Sequence, residues 1–197
     1  MQTHRYFVIY KPYNMLSQFV SPYPHRLLGD LDFDFPPGTH AIGRLDEHSE
    51  GLLILTTDKT LTRRLLHPEK KHLRHYLVQV QHKVEPATLD RLSQGLEIEV
   101  KRKGIYHTQP CEVRLINEPL NLPEREQPPH NFIHYSWLEF ILTEGKNRQI
   151  RKMCKTVKHR CQRLIRTRIN NLELGAMQPG QIVEIQQEEL FEKLLLL

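Results

Sequence analysis

The chain has 197 residues, enough to bury a substantial core, and its hydrophobic fraction of 39% and charged fraction of 26% are typical of globular proteins. No apolar run approaches the roughly 18 residues needed to cross a bilayer, so we expect a cytoplasmic protein without a membrane partner. Three cysteines, odd in number and without a C-x-x-C pair, indicate reduced thiols rather than a disulfide framework.

The net charge of +5 is distributed unevenly along the chain. Residues 144–168 contain ten Lys or Arg and one acidic residue, so this segment carries +9 and the remainder carries −4. A field of one sign predicts a polyanionic partner. Nucleic acid is favoured over a membrane surface because no long apolar face accompanies the charge.

Hydrophobic periodicity predicts strands and helices that alternate along the chain. Pro86 at the start and Gly95 at the end delimit one of the helices. The expected strands are 5–10, 51–57, 75–81, 97–100 and 135–145, and the expected helices are 59–66, 86–95, 147–158 and a short docking helix at 188–197. Four prolines make 117–131 a loop or an insertion.

The stretch AIGRLDEHSEGLLILTTDK, residues 41–59, places a charged loop directly before an apolar strand. A carboxylate on a loop held by a buried strand suits nucleophilic chemistry, and the carboxylates of this charged cluster are Asp46, Glu47 and Glu50. Two other roles remain open at this point: Asp46 could cap a turn, or it could hold Mg²⁺ together with Glu47 and Glu50 for phosphodiester cleavage.

The segment NRQIRKMCKTVK has an apolar face with i, i+3, i+4, i+7 spacing, formed by Ile150, Met153, Cys154 and Val157. Its other faces are strongly basic. Such a face can be simply solvated, but like charges without acidic partners repel one another, which favours phosphates opposite them.

Four motifs occur in order along the chain: GRLDEHSEGLLILTTD, HYLVQV, EGKNRQIRKM and RLIRTR. With them the chain resembles the ribosomal RNA pseudouridine synthases of the RsuA/RluB/RluE/RluF type, from about Tyr6 to Leu190. The resemblance implies an α+β fold with a mixed, largely antiparallel sheet and flanking helices. It also implies one catalytic domain over residues 1–197, without a separate N-terminal S4-type RNA-binding module.

The resemblance implies an enzyme that isomerises a uridine of ribosomal RNA, from the 23S RNA of the large subunit, after flipping the base out of its stack. It implies no cofactor and no metal, and we expect a monomer. Two other classes of function remain as alternatives: a non-catalytic ribosome-assembly factor that uses only the basic face, and a metal-dependent RNA nuclease that uses the acidic loop.

Family resemblance assigns roles to five residues of the reaction site. Asp46 would be the nucleophile and Arg151 its counter-charge, although Arg151 could instead contact a phosphate. Tyr76 would stack on the target base, Ile150 would pack beneath the base site, and Leu164 would close the apolar side of the pocket. A tyrosine in a strand is more often core, and Leu164 is equally explicable as core.

The expected RNA contacts lie mainly in the basic segment. Arg44 would enter the space that the flipped base vacates. The other expected RNA-binding residues are Lys146, Asn147, Arg148, Gln149, Lys152, Lys155, Lys158 and Arg166.

Two further features lead to separate expectations. Lys158 and Asn170 stand where the family often has glycine; because Lys adopts a left-handed conformation less readily, we expect a different turn after the basic helix. The spacing of His130 and His134 allows a metal pair, but no recognisable ligand pattern surrounds them.

Overall fold

The computed structural model describes residues 4–66, 71–100, 104–125 and 133–196. Within these ranges the chain forms strands and α-helices, numbered in chain order. The strands are β1 Tyr6–Lys11, β2 His40–Ile42, β3 Glu50–Thr56, β4 Arg74–Gln81, β5 Glu97–Val100, β6 Gly104–His107, β7 Glu112–Ile116, β8 Tyr135–Leu142, β9 Cys161–Ile169, β10 Leu172–Glu173 and β11 Ile182–Ile185. The helices are α1 Lys59–Leu66, α2 Pro86–Gln94, α3 Gln149–Thr156 and α4 Gln187–Lys193.

The described residues form two compact units. One unit contains the residues before Leu73 and after Leu164, and the other contains those from Leu73 to Leu164. Strand β9 begins in the second unit and ends in the first. The expected single catalytic domain stays a prediction.

The first unit is built on two completely buried strands. Every residue of β1 and of β3 is buried, and the two strands pair antiparallel. Strand β11 pairs antiparallel with the other edge of β1, whereas β3 pairs in parallel with β9 through Glu50↔Ile165 and Gly51↔Arg166. A strand buried on both faces carries a continuous apolar run, which explains the LLIL block of β3.

Gly51 lies where β3 approaches the backbone of β9 closely. A Cβ added there would lie 2.3 Å from the Arg166 carbonyl oxygen, at a φ of 99°. Gly51→Ala should therefore lower the free energy of unfolding by about 3 kcal/mol or more, because backbone atoms must move and the φ is strained. Urea unfolding measures the loss.

Gly38→Ala is the matched control for that substitution. Its φ is 84°, but no atom lies within 4 Å of an added Cβ, so only the conformational strain of about 1 kcal/mol applies. Equal losses for the two variants would show that close approach to β9 contributes nothing at Gly51.

The second unit has β8 between two antiparallel neighbours. Strand β4 pairs with β8 from Arg74↔Leu142 to Gln81↔Tyr135, and β7 pairs with the other edge of β8. Val78 and Val80 of β4 and Leu138 and Phe140 of β8 are fully buried. A separate two-stranded ribbon is formed by β5 and β6.

Helix α3 buries the face that its spacing predicted. Ile150, Met153, Cys154 and Val157 are no more than 6% exposed. Lys158 follows the helix with a φ of 65°, so it does adopt the left-handed conformation, contrary to the expectation of a different turn. Its N–H donates to the carbonyl of Lys155, a bond typical of a helix end.

The expected fold class, α+β with a mixed, mostly antiparallel sheet, is confirmed. Helix α1 has the predicted bounds, and α2 begins at Pro86 and is capped by Gly95. The predicted strand at 135–145 ends earlier, at Leu142, and the predicted helix at 147–158 is shorter, Gln149–Thr156. The described part of 117–131, up to residue 125, contains no helix or strand.

Among the described residues, no helix is long and apolar enough to cross a membrane.

Candidate active site

Asp46 lies in a short loop between β2 and β3. The loop begins at Gly43, with a φ of 69°, and its turn is closed by the N–H of Ser49, which donates to the Asp46 carbonyl at 2.9 Å. Asp46 itself is partly exposed. Its backbone carbonyl closes a hydrogen-bonded turn, and the residue as a whole is partly accessible to solvent.

The loop is fastened to the segment that follows β1. The Ser17 hydroxyl donates to the Leu45 carbonyl at 2.8 Å and accepts from the Leu45 N–H at 3.0 Å. Both residues are buried. These two bonds fix the residue directly before Asp46, and such preorganisation suits a nucleophile that must meet its target in one geometry.

Lys11, which is not among the predicted site residues, is fully buried at the end of β1. Its ammonium donates to the carbonyl oxygens of Pro12 and Met15, both at 2.7 Å, and of Glu47 at 3.3 Å. The sequence offered one sign that Lys11 is buried: it lies between an apolar strand and a proline, with no acidic neighbour in sequence. Lys11 connects the turn after β1 to the loop of Asp46.

Burial lowers the pKa of Lys11 to about 7, and the negative charges of Glu50, Asp46 and Glu47 oppose that shift. Desolvation penalises the ammonium, whereas its hydrogen bonds and the carboxylates favour it. The protonated form places a positive charge near two carboxylates of the loop, Asp46 and Glu47, and near Glu50 at the start of β3.

Lys11→Met should lower the free energy of unfolding at pH 7 by about 3 kcal/mol, because buried carbonyl oxygens lose their donor. The folded-state pKa of about 7 lies below the ordinary 10.5, so the unfolded state binds more protons between these values. Wild-type stability relative to Lys11→Met should therefore rise as the pH increases through that window and stay constant below it. Urea unfolding from pH 6 to pH 10 measures the difference.

Lys59→Met serves as the control, because Lys59 is an exposed lysine of the same unit and should change stability by less than about 0.5 kcal/mol. A difference between Lys11→Met and wild type that does not vary between pH 7 and pH 10 would contradict a lowered pKa.

Two further charged groups near this loop, Glu50 and Arg166, are buried. Glu50 is 2% exposed and accepts from the Tyr10 hydroxyl at 3.4 Å. Arg166, expected to contact RNA, is 5% exposed, and its Nε donates to the Leu52 carbonyl at 2.8 Å. An RNA contact by Arg166 stays a prediction, and it would require access to a guanidinium that now lies in the core.

No group of three or more His, Cys, Asp or Glu in the described ranges is arranged to hold a metal ion. His130 of the His130/His134 pair lies outside the described residues.

In the second unit, Arg151 lies on α3 and is partly exposed. Its Nη1 donates to the Cys161 carbonyl at 3.3 Å, which fixes the guanidinium against the start of β9. Ile150 and Leu164 are 4% and 6% exposed, and Tyr76 is 9% exposed on β4. These burials agree with either role considered for Tyr76 and Leu164, core or lining of a base pocket.

Glu144, which precedes α3, accepts several hydrogen bonds near the N-terminus of the helix. Its carboxylate accepts from the Tyr106 hydroxyl at 2.6 Å, the Gln109 N–H at 2.8 Å and the Gln149 amide at 2.8 Å. Hydrogen bonding to this carboxylate raises the pKa of Tyr106. The network joins the β5–β6 ribbon to the first turn of α3, and neither Glu144 nor Tyr106 is among the predicted site residues.

Gln149, expected to bind RNA, is 4% exposed. Its amide oxygen accepts from the Lys146 N–H at 2.9 Å, and its amide nitrogen donates to Glu144. A direct RNA contact by Gln149 stays a prediction, and the side chain would have to leave both partners to make it.

The outer surface of α3 and its flanks is basic. Arg148, Lys155 and Lys158 are exposed, and Lys152 is partly exposed. Arg148 stands at the N-terminus of the helix in a left-handed conformation, with a φ of 53°. The remaining predicted contacts are Asn147, exposed and accepting from Lys152 at 3.4 Å, and Lys146, whose ammonium lies 4.5 Å from the centre of the Tyr106 ring.

Asp46, Arg44 and Arg166 belong to the first unit, and the other predicted site residues belong to the second. The predicted pairing of Asp46 with Arg151 stays a prediction.

Comparison with known proteins gives a consistent relationship. Residues 5–156 match the RNA pseudouridylate synthase family. The chain is 36% identical over 190 residues to ribosomal large subunit pseudouridine synthase E of Vibrio parahaemolyticus serotype O3:K6, with 94% of this chain and 76% of that protein covered. It is 38% identical over 175 residues to the protein of the same name from Xanthomonas campestris pv. campestris, with 87% and 90% covered.

A solved structure described as a pseudouridylate synthase superposes with a TM-score of 0.78 at 22% identity, over 98% of this chain and 75% of that one. This likeness supports the fold. The match over residues 5–156 and the identities to these two relatives confirm the resemblance seen in the four sequence motifs. The chain belongs to the RNA pseudouridylate synthase family.

Proposed function

We propose that this enzyme converts a specific uridine of large-subunit 23S ribosomal RNA into pseudouridine, working as a monomer in the cytoplasm. Relatives at 36–38% identity are named ribosomal large subunit pseudouridine synthase E, which supports this substrate. The structural observation that carries the proposal is the partly exposed Asp46 on a loop fastened by Ser17 and Lys11.

The proposed reaction is an isomerisation: the nucleotide keeps the same atoms, and the bond between base and ribose changes. The bond between N1 of uracil and C1′ of ribose breaks, the base turns while bound, and C5 forms the new bond to C1′. The proton on C5 is lost, and N1 gains one. Asp46 supplies the carboxylate, whether it attacks the sugar, attacks the base or removes a proton from the sugar.

We assign Arg151 as the counter-charge of Asp46 during the reaction. A guanidinium stays protonated at all relevant pH values and favours an ionised carboxylate nearby. Tyr76 would stack on the turned-out base, Ile150 and Leu164 would line the apolar side, and Arg44 would occupy the space that the base leaves. Burial of Tyr76, Ile150 and Leu164 supports an apolar environment for a base.

The exposed basic residues around α3 would contact phosphates. Most contacts between proteins and nucleic acids reach the backbone, and exposed Lys and Arg side chains supply them. Arg148, Lys155 and Lys158, with the partly exposed Lys146 and Lys152, fit this role because their charged ends lie on the outside of the second unit.

Mapping pseudouridines in ribosomal RNA from cells with and without this protein tests the proposal. One site in the large-subunit RNA should be lost, and purified protein should restore it on unmodified RNA in excess EDTA, using a fragment that folds without Mg²⁺. Strand scission instead of isomerisation would support the nuclease, and an unchanged map with a ribosome-assembly defect would support the assembly factor.

A further inference from the structure

Two aromatic rings stack on each other beside the loop of Asp46. The rings of Tyr13 and His48 have centroids 5.3 Å apart and an interplanar angle of 27°. His48 is exposed, and Tyr13 is partly buried. The imidazole therefore has one face covered by tyrosine while much of the side chain remains open to solvent.

The pair lies within reach of the nucleotides that adjoin the target. His48 follows Asp46 by two residues, so their Cα atoms are at most roughly 7 Å apart. Stacked bases along one strand rise by about 3.4 Å per step. An RNA whose uridine reaches Asp46 therefore brings an adjoining nucleotide close to His48.

The backbone on both sides of the pair is held in place. The carbonyls of Pro12 and Met15, on either side of the Tyr13 turn, accept from the ammonium of Lys11. The N–H of Met15 donates to the carbonyl of Glu47, the residue before His48, at 3.3 Å. A fixed aromatic surface loses little conformational entropy when a base stacks on it.

Charged groups around the pair suit an RNA strand. Arg26 and Arg44 are exposed in the same unit, and Arg26 is near enough for its charge to disfavour the ammonium of Lys11. The acidic Glu47 side chain is paired with His25 at 3.0 Å. The unit that carries the stacked pair therefore also presents exposed positive charge, which favours an RNA strand over an acidic partner.

We propose that His48, supported by Tyr13, is a stacking platform for the nucleotide directly adjoining the target uridine. When a base is flipped out of RNA, the adjoining bases lose a stacking partner, at a free-energy cost of a few kcal/mol. An aromatic side chain offers every base a replacement surface regardless of sequence. This inference rests on the proposed function, because it needs an RNA substrate centred on Asp46.

The test uses a synthetic hairpin of large-subunit ribosomal RNA with 2-aminopurine on the 5′ or the 3′ side of the target uridine. Stacking on a ring quenches 2-aminopurine fluorescence. One of the two hairpins should be quenched on binding Asp46→Asn protein. His48→Ala in that background should abolish the quenching and weaken binding by about 10- to 100-fold, the range for loss of one base–aromatic stack.

Further variants separate stacking from other roles. His48→Phe should restore quenching and affinity, because it keeps a ring without its nitrogens, and the loss in His48→Ala should not depend on salt, because stacking releases no counterions. His107→Ala, at an exposed histidine of the second unit, should behave like the parent. Tyr13→Ala should weaken quenching, and if it does not fold, the His48 variants decide alone.

Three results would overturn the platform. Quenching that persists in His48→Ala would place the stack elsewhere, and failure of His48→Phe to rescue would assign the role to imidazole nitrogens. If His48→Ala binds RNA normally but unfolds at a lower temperature, the Tyr13–His48 contact only stabilises the loop. Conversion of the unlabelled hairpin to pseudouridine by the wild-type protein is measured separately. If the wild type does not convert the hairpin, the proposed function is refuted. If it converts the hairpin but neither labelled hairpin is quenched, only the stacking platform is refuted.

Discussion

Asp46→Asn is expected to lower the single-turnover rate of pseudouridine formation by roughly 10⁴-fold or more, the scale on which removing a nucleophile acts in other enzymes. The amide has nearly the shape of the carboxylate but cannot attack the sugar or the base and is a poor proton acceptor. RNA affinity should stay within a few-fold of wild type, because the backbone turn at Ser49 does not involve the side chain. Rapid-quench assays and a binding titration measure the two quantities.

Glu47→Gln is the matched control for that substitution. Glu47 is the adjoining carboxylate and is also partly exposed, but its side chain pairs with His25, and its contact with Lys11 uses the backbone carbonyl. Its rate should stay within a few-fold of wild type. Comparable losses in the two variants would point to the charge of the loop as a whole, and a wild-type rate in Asp46→Asn would remove the nucleophile assignment.

Arg151→Ala is expected to cause a comparable collapse of the rate at saturating RNA, because the proposed counter-charge of Asp46 is lost. The salt dependence of binding should change by no more than about one contact, a slope change of roughly 0.7 to 0.9 in log affinity against log salt. Arg151→Lys keeps the charge without the planar fork and should recover part of the rate. Thermal unfolding checks the separate loss of the bond to Cys161.

Replacing Lys152 and Lys155 together by Ala should have the opposite effect. Their side chains lie on the outer surface of α3, so the double variant should need more RNA and show a salt slope flatter by about two contacts. Its rate at saturating RNA should stay near wild type. Identical behaviour of the double variant and Arg151→Ala in both measurements would contradict a division between chemistry and phosphate binding.

Local patterns were sufficient for several elements. The LLIL run predicted a buried strand, and Glu50–Thr56 is buried throughout, because apolar residues on both faces have no stable place except inside a sheet. Helix α1 has the predicted bounds, and the apolar face of α3 lies where the spacing put it. Hydrophobic periodicity and the residues within each motif depend on positions that are close in sequence, so they can be predicted without coordinates.

Contacts between distant residues were not readable in this way. The Lys11 ammonium donates hydrogen bonds to carbonyl oxygens up to 36 positions away and so holds the loop of Asp46 in place. Glu144 connects Tyr106 with Gln149, and Gln149 is buried although a basic motif had suggested an RNA contact. A motif identifies residue types in order, but burial and hydrogen-bond partners depend on which segments the fold brings into contact.

The sequence by itself indicated the family, the four helices, five of the eleven strands that the structure describes, and the candidate nucleophile within its motif, because periodicity and motifs depend on residue type and spacing. Only the tertiary structure decided how that nucleophile is held, through Ser17 and Lys11, and that Tyr13 and His48 stack beside it. The reason is physical: hydrogen bonds and ring contacts act over a few ångströms in space, and residues 35 positions apart become neighbours only after the chain has folded.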